Sequence, residues 1–418
     1  MCCQLENEKN FCENALMKIV LSFFLLKSLT LSSLMAQELD VERLARTSLE
    51  QNIVHLPQGD FLAAGAHQFG SLWTRDFCFS VPGLLRLKKF SLVKNQLNYL
   101  IKNRHDDGLV PIYADSISPM IRVAVGSFNQ ATGLKIQLKI TGQIKPFYRA
   151  NGTYSTIDAN FLVLLAAYDY YQASGDEDWW QEKQSDFLEI YNYYRPFIQD
   201  GLIAQGSYSD WQDSAKRKGK TFFTNLLFLD VSKKYQFLDK EDLNRLSQKI
   251  HESFYDSKTG LYFSILGSPQ ISLDGILWAI DKKLMPQTDQ LYLHLKKHPL
   301  WNLYGAAGFA TYPSYPKSWI APQVLLSGLN EYHGNLSWSW LMAYASIVAY
   351  KQGDAAEAQR LKSFLETLIR RDQTINEIYD SPRGFHAYSS YLYRSESPFS
   401  WGAAYVLEMQ KIESGKAF

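Results

Sequence analysis

Two long loops of this 418-residue chain carry acidic side chains that could do acid–base chemistry. In loop 206–219, Asp210 and Asp213 stand on either side of Trp211. An aromatic neighbour partly desolvates a carboxyl group and raises its pKa, as a general acid requires. Hydrolysis of a glycosidic bond needs such an acid to protonate the leaving oxygen, and a second carboxylate that acts on water or on carbon. Loop 206–219 is therefore a candidate source of the acid.

The residues around Asp213 also allow a purely structural interpretation. Asp213 and Ser214 precede a predicted helix, and such residues commonly cap helix N-termini. The neighbouring Lys216 and Arg217 would lower the pKa of Asp213 rather than raise it. The loop sequence alone is compatible with both interpretations.

The second acidic loop lies far along the chain, in the turn-rich stretch 374–384. Glu377 stands two residues before Tyr379 there, where a carboxylate could hold a water molecule and take its proton. Glu396 is the competing acid, and a solvated loop glutamate is the structural alternative for Glu377. Loop 374–384 is therefore the candidate source of the general base.

The overall composition limits which classes of ligand the protein can bind. The formal net charge is +1 and no Lys/Arg-rich block is present, so we expect no nucleic-acid partner. Aromatic residues make up 14% of the chain, with 10 Trp and 26 Tyr. Aromatic faces stack on sugar rings, although a large aromatic core would explain the same composition. No HExxH or CxxC motif occurs, so we expect neither a metal site nor another cofactor.

The N-terminal segment has the pattern of a secretory signal. Met17-Lys18 precedes a short apolar run, and small residues follow up to Ala36. The apolar run is too short to span a bilayer. We therefore expect 1–36 to be an extension and signal peptide with Met17 as the start, and 37–418 to be a secreted or periplasmic catalytic domain with no membrane association. A buried N-terminal helix is the alternative.

The elements that must position these loops are predicted to be helices, because apolar residues recur at helical spacing along most of the chain. The one alternating stretch is Leu134–Ile140, which predicts a small β-like insert near 128–150. The helices are predicted at 40–54, 75–87, 91–104, 156–174, 177–196, 221–236, 240–254, 272–282, 287–297, 321–332, 336–352, 354–371 and 398–411.

This arrangement predicts a single all-α domain, either a helical solenoid or a closed toroid of helical hairpins. No fixed repeat of the solenoid type is visible. Long aromatic loops recur between the helices, and in a toroid they would gather at one mouth and build a site there. The pattern therefore favours the toroid.

Residues near the second predicted helix resemble a known motif. Trp73-Thr74-Arg75-Asp76 resembles the WTRD run of glucoamylases, whose Arg and Asp hold the hydroxyls of the terminal glucose. A guanidinium beside a carboxylate offers matched donors and acceptors to neighbouring hydroxyls. Arg75-Asp76-Phe77 also resembles the RDF run of neutral invertases.

Two later segments resemble motifs of related enzymes. Residues 154–159, with Tyr168 and Gly175-Asp176, resemble the Y-x-T-x-D-A … Y … GD pattern of the glycogen-debranching glucosidase domain. Residues 213–217 resemble the D-x-A-x-R segment that carries the general acid in trehalases and processing glucosidases. Trp211-Gln212-Asp213 also resembles the W-M-D acid segment of debranching enzymes.

The C-terminal third continues the resemblance in the same order. Residues 332–340 resemble the Y-H-x-G-x-x-W-P-W run, although Ser339 stands where proline is usual. Residues 377–384 resemble the E-x-Y-D/N-x-x-x-G base loop, and 398–404 resemble the F-x-W-x-A-A helix start that follows it. The matches span 73–405.

The resemblance implies a single (α/α)6 toroid and an inverting, exo-acting α-glucosidase-type hydrolase of oligosaccharides or glycosides. Asp213 would be the general acid, Glu377 the general base, and Arg75 with Asp76 the clamp on the terminal sugar. Asp210 and Glu396 are the fallback acids. Further substrate contacts are expected from Trp73, Asp158, Trp211, His333, Trp338, Tyr379 and Trp401.

Two other functions remain compatible with the sequence. A polysaccharide lyase on the same barrel could use Tyr332-His333 and Lys216-Arg217, but it would leave Asp213 and Glu377 without a role. A non-catalytic glycan-binding protein could retain the cleft alone.

Overall fold

The chain folds mainly into helices, joined by very short strands at the loops. The computed structural model describes residues 41–134, 136–149 and 156–414. The helices are α1 (41–51), α2 (Thr74–Arg86), α3 (Phe90–Lys102), α4 (Pro119–Thr132), α5 (Asp158–Ser174), α6 (Glu177–Glu182), α7 (Gln184–Asn192), α8 (Phe222–Tyr235), α9 (Lys240–Phe254), α10 (Leu273–Asp281), α11 (Thr288–Lys297), α12 (Pro299–Asn302), α13 (Pro322–Leu326), α14 (Ser339–Lys351), α15 (Ala355–Asp372), α16 (Ser400–Met409) and α17 (Lys411–Ser414).

Six of these helices form a closed inner ring. Contacts run from α2 to α5, α8, α10, α14 and α16 in turn, and α16 packs back against α2 to close the circle. These helices are apolar on nearly every face; in α14, for example, every residue from Ser339 to Ala349 is buried. A helix without a polar face can only be stable inside a core, so its sequence determines its inner position.

The outer layer consists of α1, α3, α6 with α7, α9, α11 and α15. These helices are amphipathic: α9 buries Leu246, Ile250 and Phe254, which face the ring, and exposes its charged residues. Apart from α1, which precedes α2, each outer helix lies in the chain between two inner ones, as α3 does between α2 and α5. The result is an (α/α)6 toroid, as the sequence predicts.

The inner helices all begin at the same mouth of the toroid. Short strands lead directly into four of them, and these strands belong to three-stranded and two-stranded antiparallel sheets that line the mouth. The strands are β1 (Ile53–Leu56), β2 (Gly59–Leu62), β3 (Leu72–Trp73), β4 (Tyr113–Asp115), β5 (Lys145–Phe147), β6 (Ile198–Gln199), β7 (Leu202–Gln205), β8 (Gly219–Lys220), β9 (Tyr255–Asp256), β10 (Leu261–Tyr262), β11 (Ile271–Ser272), β12 (Thr311–Tyr312), β13 (Ser337–Trp338), β14 (Ile378–Asp380) and β15 (His386–Ala387).

Three predicted helices end differently from the prediction. The helix at 177–196 is interrupted at Lys183, and a 3-10 turn with Pro196 replaces its last residues. The helix at 321–332 ends at Leu326, where Gly328 takes a positive φ of 78° that stops it. The first helix stops at residue 51, and β1 follows.

The prediction of a β-like insert near 128–150 is wrong in most of its length. Residues up to Thr132 belong to α4, and the described residues between 133 and 140 are irregular. Leu134 and Ile136 alternate with polar residues, but no strand among the described residues pairs with them and both are exposed. The strand lies later, at β5, where it pairs antiparallel with β4.

The predicted signal segment, 1–36, lies outside the described residues. Within the described part of the chain, no helix is both long and apolar enough to cross a membrane.

Candidate active site

A cleft of about 530 Å³ opens at the mouth of the toroid, above the first turns of the inner helices. Both predicted catalytic acids line it, together with most of the predicted substrate contacts. The predicted residues in its wall are Trp73, Arg75, Asp76, Trp211, Asp213, Trp338, Glu377 and Trp401.

Asp213 reaches the cleft from the loop between β7 and β8. Its side chain is 29% exposed, and its Oδ2 accepts a hydrogen bond from Nη2 of Arg75 at 2.5 Å. Burial raises the pKa of Asp213, and the Arg75 guanidinium opposes that rise. The loop therefore presents a carboxyl group that is both partly desolvated and held in one orientation, as a general acid needs.

Arg75 lies in the first turn of α2 and organises the floor of the cleft. Its Nη1 donates to the backbone carbonyl of Asp210 at 2.5 Å, and Asp158 lies 3.9 Å from the same nitrogen. The guanidinium is almost fully buried. Arg75 therefore holds Asp213 in place, in addition to the sugar-binding role that the sequence suggests.

Three acids occupy the first turns of inner helices: Asp76 lines the cleft, whereas Asp158 and Asp274 are fully buried beneath it. Burial raises the pKa of Asp76 on α2 and of Asp158 on α5 to about 7. Asp274 on α10 accepts a hydrogen bond from the Trp211 indole at 2.5 Å, and burial raises its pKa as well. Helix N-termini favour negative charge, so these positions make buried acids tolerable.

Glu377, directly before β14, is held by two phenols. The hydroxyls of Tyr332 and Tyr393 each donate to one of its carboxylate oxygens. The side chain is only 2% exposed, and burial raises its pKa to about 8, while the two phenols act in the opposite direction. Glu377 is therefore oriented rigidly at the cleft surface.

Tyr332 and Tyr393 were not among the predicted site residues. Both line the cleft. Tyr332 stands directly before the predicted His333, which is the one signal that could have found it. Tyr393 lies in a stretch rich in Tyr and Ser that matches no motif, so its role depends on how that loop folds.

The two fallback acids have structural partners instead. Asp210 is fully buried, pairs with Arg217 at 3.1 Å and accepts from the Gln205 amide at 2.8 Å. Glu396 accepts from the backbone N–H groups of residues 66, 67 and 69 and thereby holds that loop. Neither lines the cleft, so the structure favours Asp213 and Glu377 over their competitors.

Three predicted substrate contacts lie behind the cleft wall rather than in it. Asp158 is fully buried beside Arg75, and Tyr379 is fully buried within its sheet. His333 stacks on Trp338, and its Nδ1 lies 2.6 Å from the hydroxyl of Ser214. Burial lowers the pKa of His333 well below its usual value, so the ring is neutral. These positions support the wall instead of contacting a ligand directly.

The residues that a lyase would use as base or as cation already have structural partners. Arg217 is buried against Asp210, His333 is neutral and buried, and the Tyr332 phenol donates to Glu377. Burial raises the pKa of Tyr332 well above its usual value, so it is a poor base. The geometry does not support the lyase hypothesis.

Comparison with known proteins identifies the fold. No protein-family model and no curated protein matches the sequence. Among solved structures, a rhamnosidase from Klebsiella oxytoca with rhamnose bound aligns over 90% of this chain with a TM-score of 0.63 and 13% identity. The match covers 64% of the rhamnosidase chain, so this chain spans less than two thirds of that protein.

Two further matches cover nearly the whole of the other chain. A GH63 mannosylglycerate hydrolase from Thermus thermophilus in complex with glucose aligns over 88% of this chain and 99% of its own, with a TM-score of 0.59 and 14% identity. A variant glycosidase in complex with glucose aligns over 91% and 98%, with a TM-score of 0.58 and 13% identity. The chain therefore has the six-hairpin toroid found in these glycosidases.

The buried Glu377 should make the stability of the protein depend on pH. Its folded pKa of about 8 exceeds the ordinary value of 4.5, so the folded state binds the proton more tightly. This contribution to the free energy of unfolding is complete below pH 4.5 and is lost as pH rises towards 8. Asp76 and Asp158, whose pKa values are about 7, are half ionised at pH 7, so Glu377 should contribute the largest share of the slope as pH approaches 8.

Glu377→Gln should therefore flatten the fall of unfolding free energy between pH 7 and 8, by up to about 1.4 kcal/mol per pH unit. Urea unfolding at a series of pH values measures this slope. Asp178→Asn, at an exposed position, is the control and should keep the wild-type dependence. Identical slopes in Glu377→Gln and the wild type would contradict the buried, protonatable state of Glu377.

Proposed function

We propose that the protein is an inverting, exo-acting glycoside hydrolase of the α-glucosidase type. The observation that carries the proposal is that Asp213 and Glu377 lie in the wall of one cleft, where burial raises the pKa of Asp213 and two phenols favour the ionised form of Glu377. The fold, which is shared with glycosidases in complex with glucose and with rhamnose, supports the same function.

In this mechanism Asp213 protonates the glycosidic oxygen. Burial favours the protonated form of Asp213 before the reaction. After proton transfer, the carboxylate is stabilised by Arg75, whose Nη2 already lies 2.5 Å from Oδ2. The guanidinium therefore lowers the energy of the product side of the proton transfer without moving.

Glu377 removes a proton from the attacking water. The phenols of Tyr332 and Tyr393 fix both of its oxygens and favour its ionised form. The water then attacks the anomeric carbon from the face opposite the leaving group, which inverts the configuration. Asp76, partly exposed in the cleft beside Arg75, would bind hydroxyls of the terminal sugar.

Replacement of either catalytic acid should abolish most of the activity. Asp213→Asn and Glu377→Gln should each lower kcat by about a hundredfold to ten-thousandfold, because each removes one proton transfer. The assay uses a panel of glucosides, rhamnosides, mannosylglycerate, trehalose and sucrose, with Asp178→Asn as the surface control.

Proton NMR should show that the first anomer released has inverted configuration. Retention of configuration would exclude the inverting scheme. Near-wild-type turnover in either variant would exclude the corresponding assignment. Ligand binding without any product release, unchanged in Asp213→Asn, would identify a glycan-binding protein. Unsaturated products with ultraviolet absorbance would identify a lyase.

Tyr393→Phe should distinguish the base from the acid. Loss of one phenol donor raises the pKa of Glu377, because the remaining carboxylate is less stabilised. If Glu377 is the base, the ascending limb of the kcat/KM profile moves to higher pH by about one to two units. A shift of the descending limb instead would assign the acid role to Glu377.

We also propose that the protein is exported. The pattern from Met17 to Ala36 supports this, and the mature chain is expected to start at Gln37. N-terminal sequencing of protein recovered from the periplasm or the medium measures the start. Recovery of the uncleaved chain from the cytoplasm alone would contradict export.

A further inference from the structure

The rim of the cleft differs in chemistry from its floor. The charged residues of the cleft wall are Arg75, Asp76, Asp213 and Glu377, all of which belong to the catalytic floor. The residues that remain around the opening are uncharged. The polar ones among them are Gln68, Ser127, Gln323 and Ser327, and the apolar ones on the outer side include Phe69, Met120, Val123, Val324, Leu329 and Leu392.

Helix α4 supplies one side of this rim and has unusual surface chemistry. Its only charged residue, Arg122, is fully buried and pairs with Asp115 of β4 at 2.7 Å. The outward positions carry large apolar side chains: Met120 is 65% exposed and Val123 is 50% exposed. Exposed apolar surface of this kind is normally retained where it binds something.

The rim is a built structure, since three segments are tied together around the opening. The hydroxyl of Ser127 on α4 donates to the carbonyl of Leu392 at 3.1 Å, and the Gln130 amide donates to the carbonyl of Ser390 at 3.1 Å. Ser390 in turn donates to the carbonyl of Ser327, after α13, at 2.6 Å. Helix α4 is therefore held against the two segments that complete the opening.

The position of the rim decides what it can contact. The terminal sugar would occupy the floor, where Arg75 and Asp76 lie, so the leaving group must extend outward past Met120, Val123 and Leu392. A second sugar would need charged or amide groups to pair with its hydroxyls, or aromatic faces to stack on. Met120, Val123 and Leu392 offer neither, and the Gln68 amide and the Ser127 hydroxyl beside them already donate to the backbone carbonyls of Arg394 and Leu392. Aliphatic side chains instead stabilise a hydrocarbon by burying its surface.

We infer that the leaving-group subsite takes an apolar aglycone, so that the substrate is an amphiphilic glycoside with a hydrocarbon leaving group rather than an oligosaccharide. This inference rests on the proposed function. It replaces the oligosaccharide expectation for the leaving-group side only, and leaves the sugar on the floor unchanged.

The test compares methyl, butyl and octyl α-D-glucoside with maltose, all below the micellar concentration of the octyl compound. Each added methylene should raise kcat/KM by about twofold to fourfold, since one buried CH₂ contributes about 0.8 kcal/mol. Octyl glucoside should also bind more tightly than methyl glucoside to the inactive Asp213→Asn variant, as calorimetry would measure.

Two variants of α4 form a matched pair. Val123 lines the rim, whereas Ile121, 51% exposed on the same helix, does not. Val123→Thr should reduce the octyl-to-methyl ratio of both kcat/KM and affinity by about threefold or more, because a hydroxyl replaces a methyl group that the bound octyl chain would cover. Ile121→Thr should leave both ratios unchanged.

The outcomes separate the two proposals. Hydrolysis without a chain-length dependence, or with maltose as the better substrate, would overturn the apolar subsite and leave the hydrolase intact. Preferential binding of octyl glucoside that depends on Val123, without hydrolysis, would retain the subsite and overturn the hydrolase. A third outcome is that the rates show no chain-length dependence, while the protein self-associates or binds phosphatidylcholine vesicles and both threonine variants abolish this. It would assign the exposed face of α4 to a second copy of the chain or to a lipid surface, and would overturn the inference.

Discussion

The guanidinium of Arg75 is the one cation among the described residues that line the cleft, and the geometry of the acidic groups depends on it. It contacts the side chain of Asp213, the backbone of Asp210 and, at longer range, Asp158. Removing one member of a buried ionic group typically costs about 3–5 kcal/mol, because the remaining charge stays uncompensated. Arg75 therefore both stabilises the loops at the mouth of the toroid and holds the carboxyl group of Asp213.

The closed inner ring makes this concentration of acids possible. All six inner helices begin at the mouth, so their N-terminal dipoles point at one small volume. Asp76, Asp158 and Asp274 occupy first turns there, where partial positive charge offsets part of their desolvation. A ring of apolar helices excludes water from its centre, and the same exclusion of water raises the pKa values of these acids. Core packing and the raised pKa values therefore have one cause.

The sequence predicts the ring well because its signal is local. Helical periodicity and short motifs identify the inner helices, and the motifs point to two acids, Asp213 and Glu377, that the structure brings to one cleft. The sequence predicts the hydrogen-bond partners of these acids poorly, because the partners come from distant loops. Tyr393, for example, reaches Glu377 only once the loop after β15 has folded back. Helix α4 was missed for a different reason. Its outward face carries Met120 and Val123, so it lacks the polar side from which helical periodicity is recognised.

The hydrogen-bond partners of each carboxylate distinguish the acids with fixed structural partners from the two that we propose as catalytic. Glu396 accepts from three backbone N–H groups, and such donors cannot move without unfolding the loop they belong to. Glu377 accepts from only one backbone N–H group, that of Glu396 at 3.3 Å, and from two phenols that line the cleft, which can rotate or exchange their bonds when water enters. Asp210 and Asp213 differ in the same way, since Arg217 and Gln205 saturate the first, whereas the second keeps one oxygen free of side-chain donors among the described residues. A carboxylate can do chemistry only where its lone pairs are available or can become available, and Asp213 and Glu377 meet this condition better than Asp210 and Glu396 do.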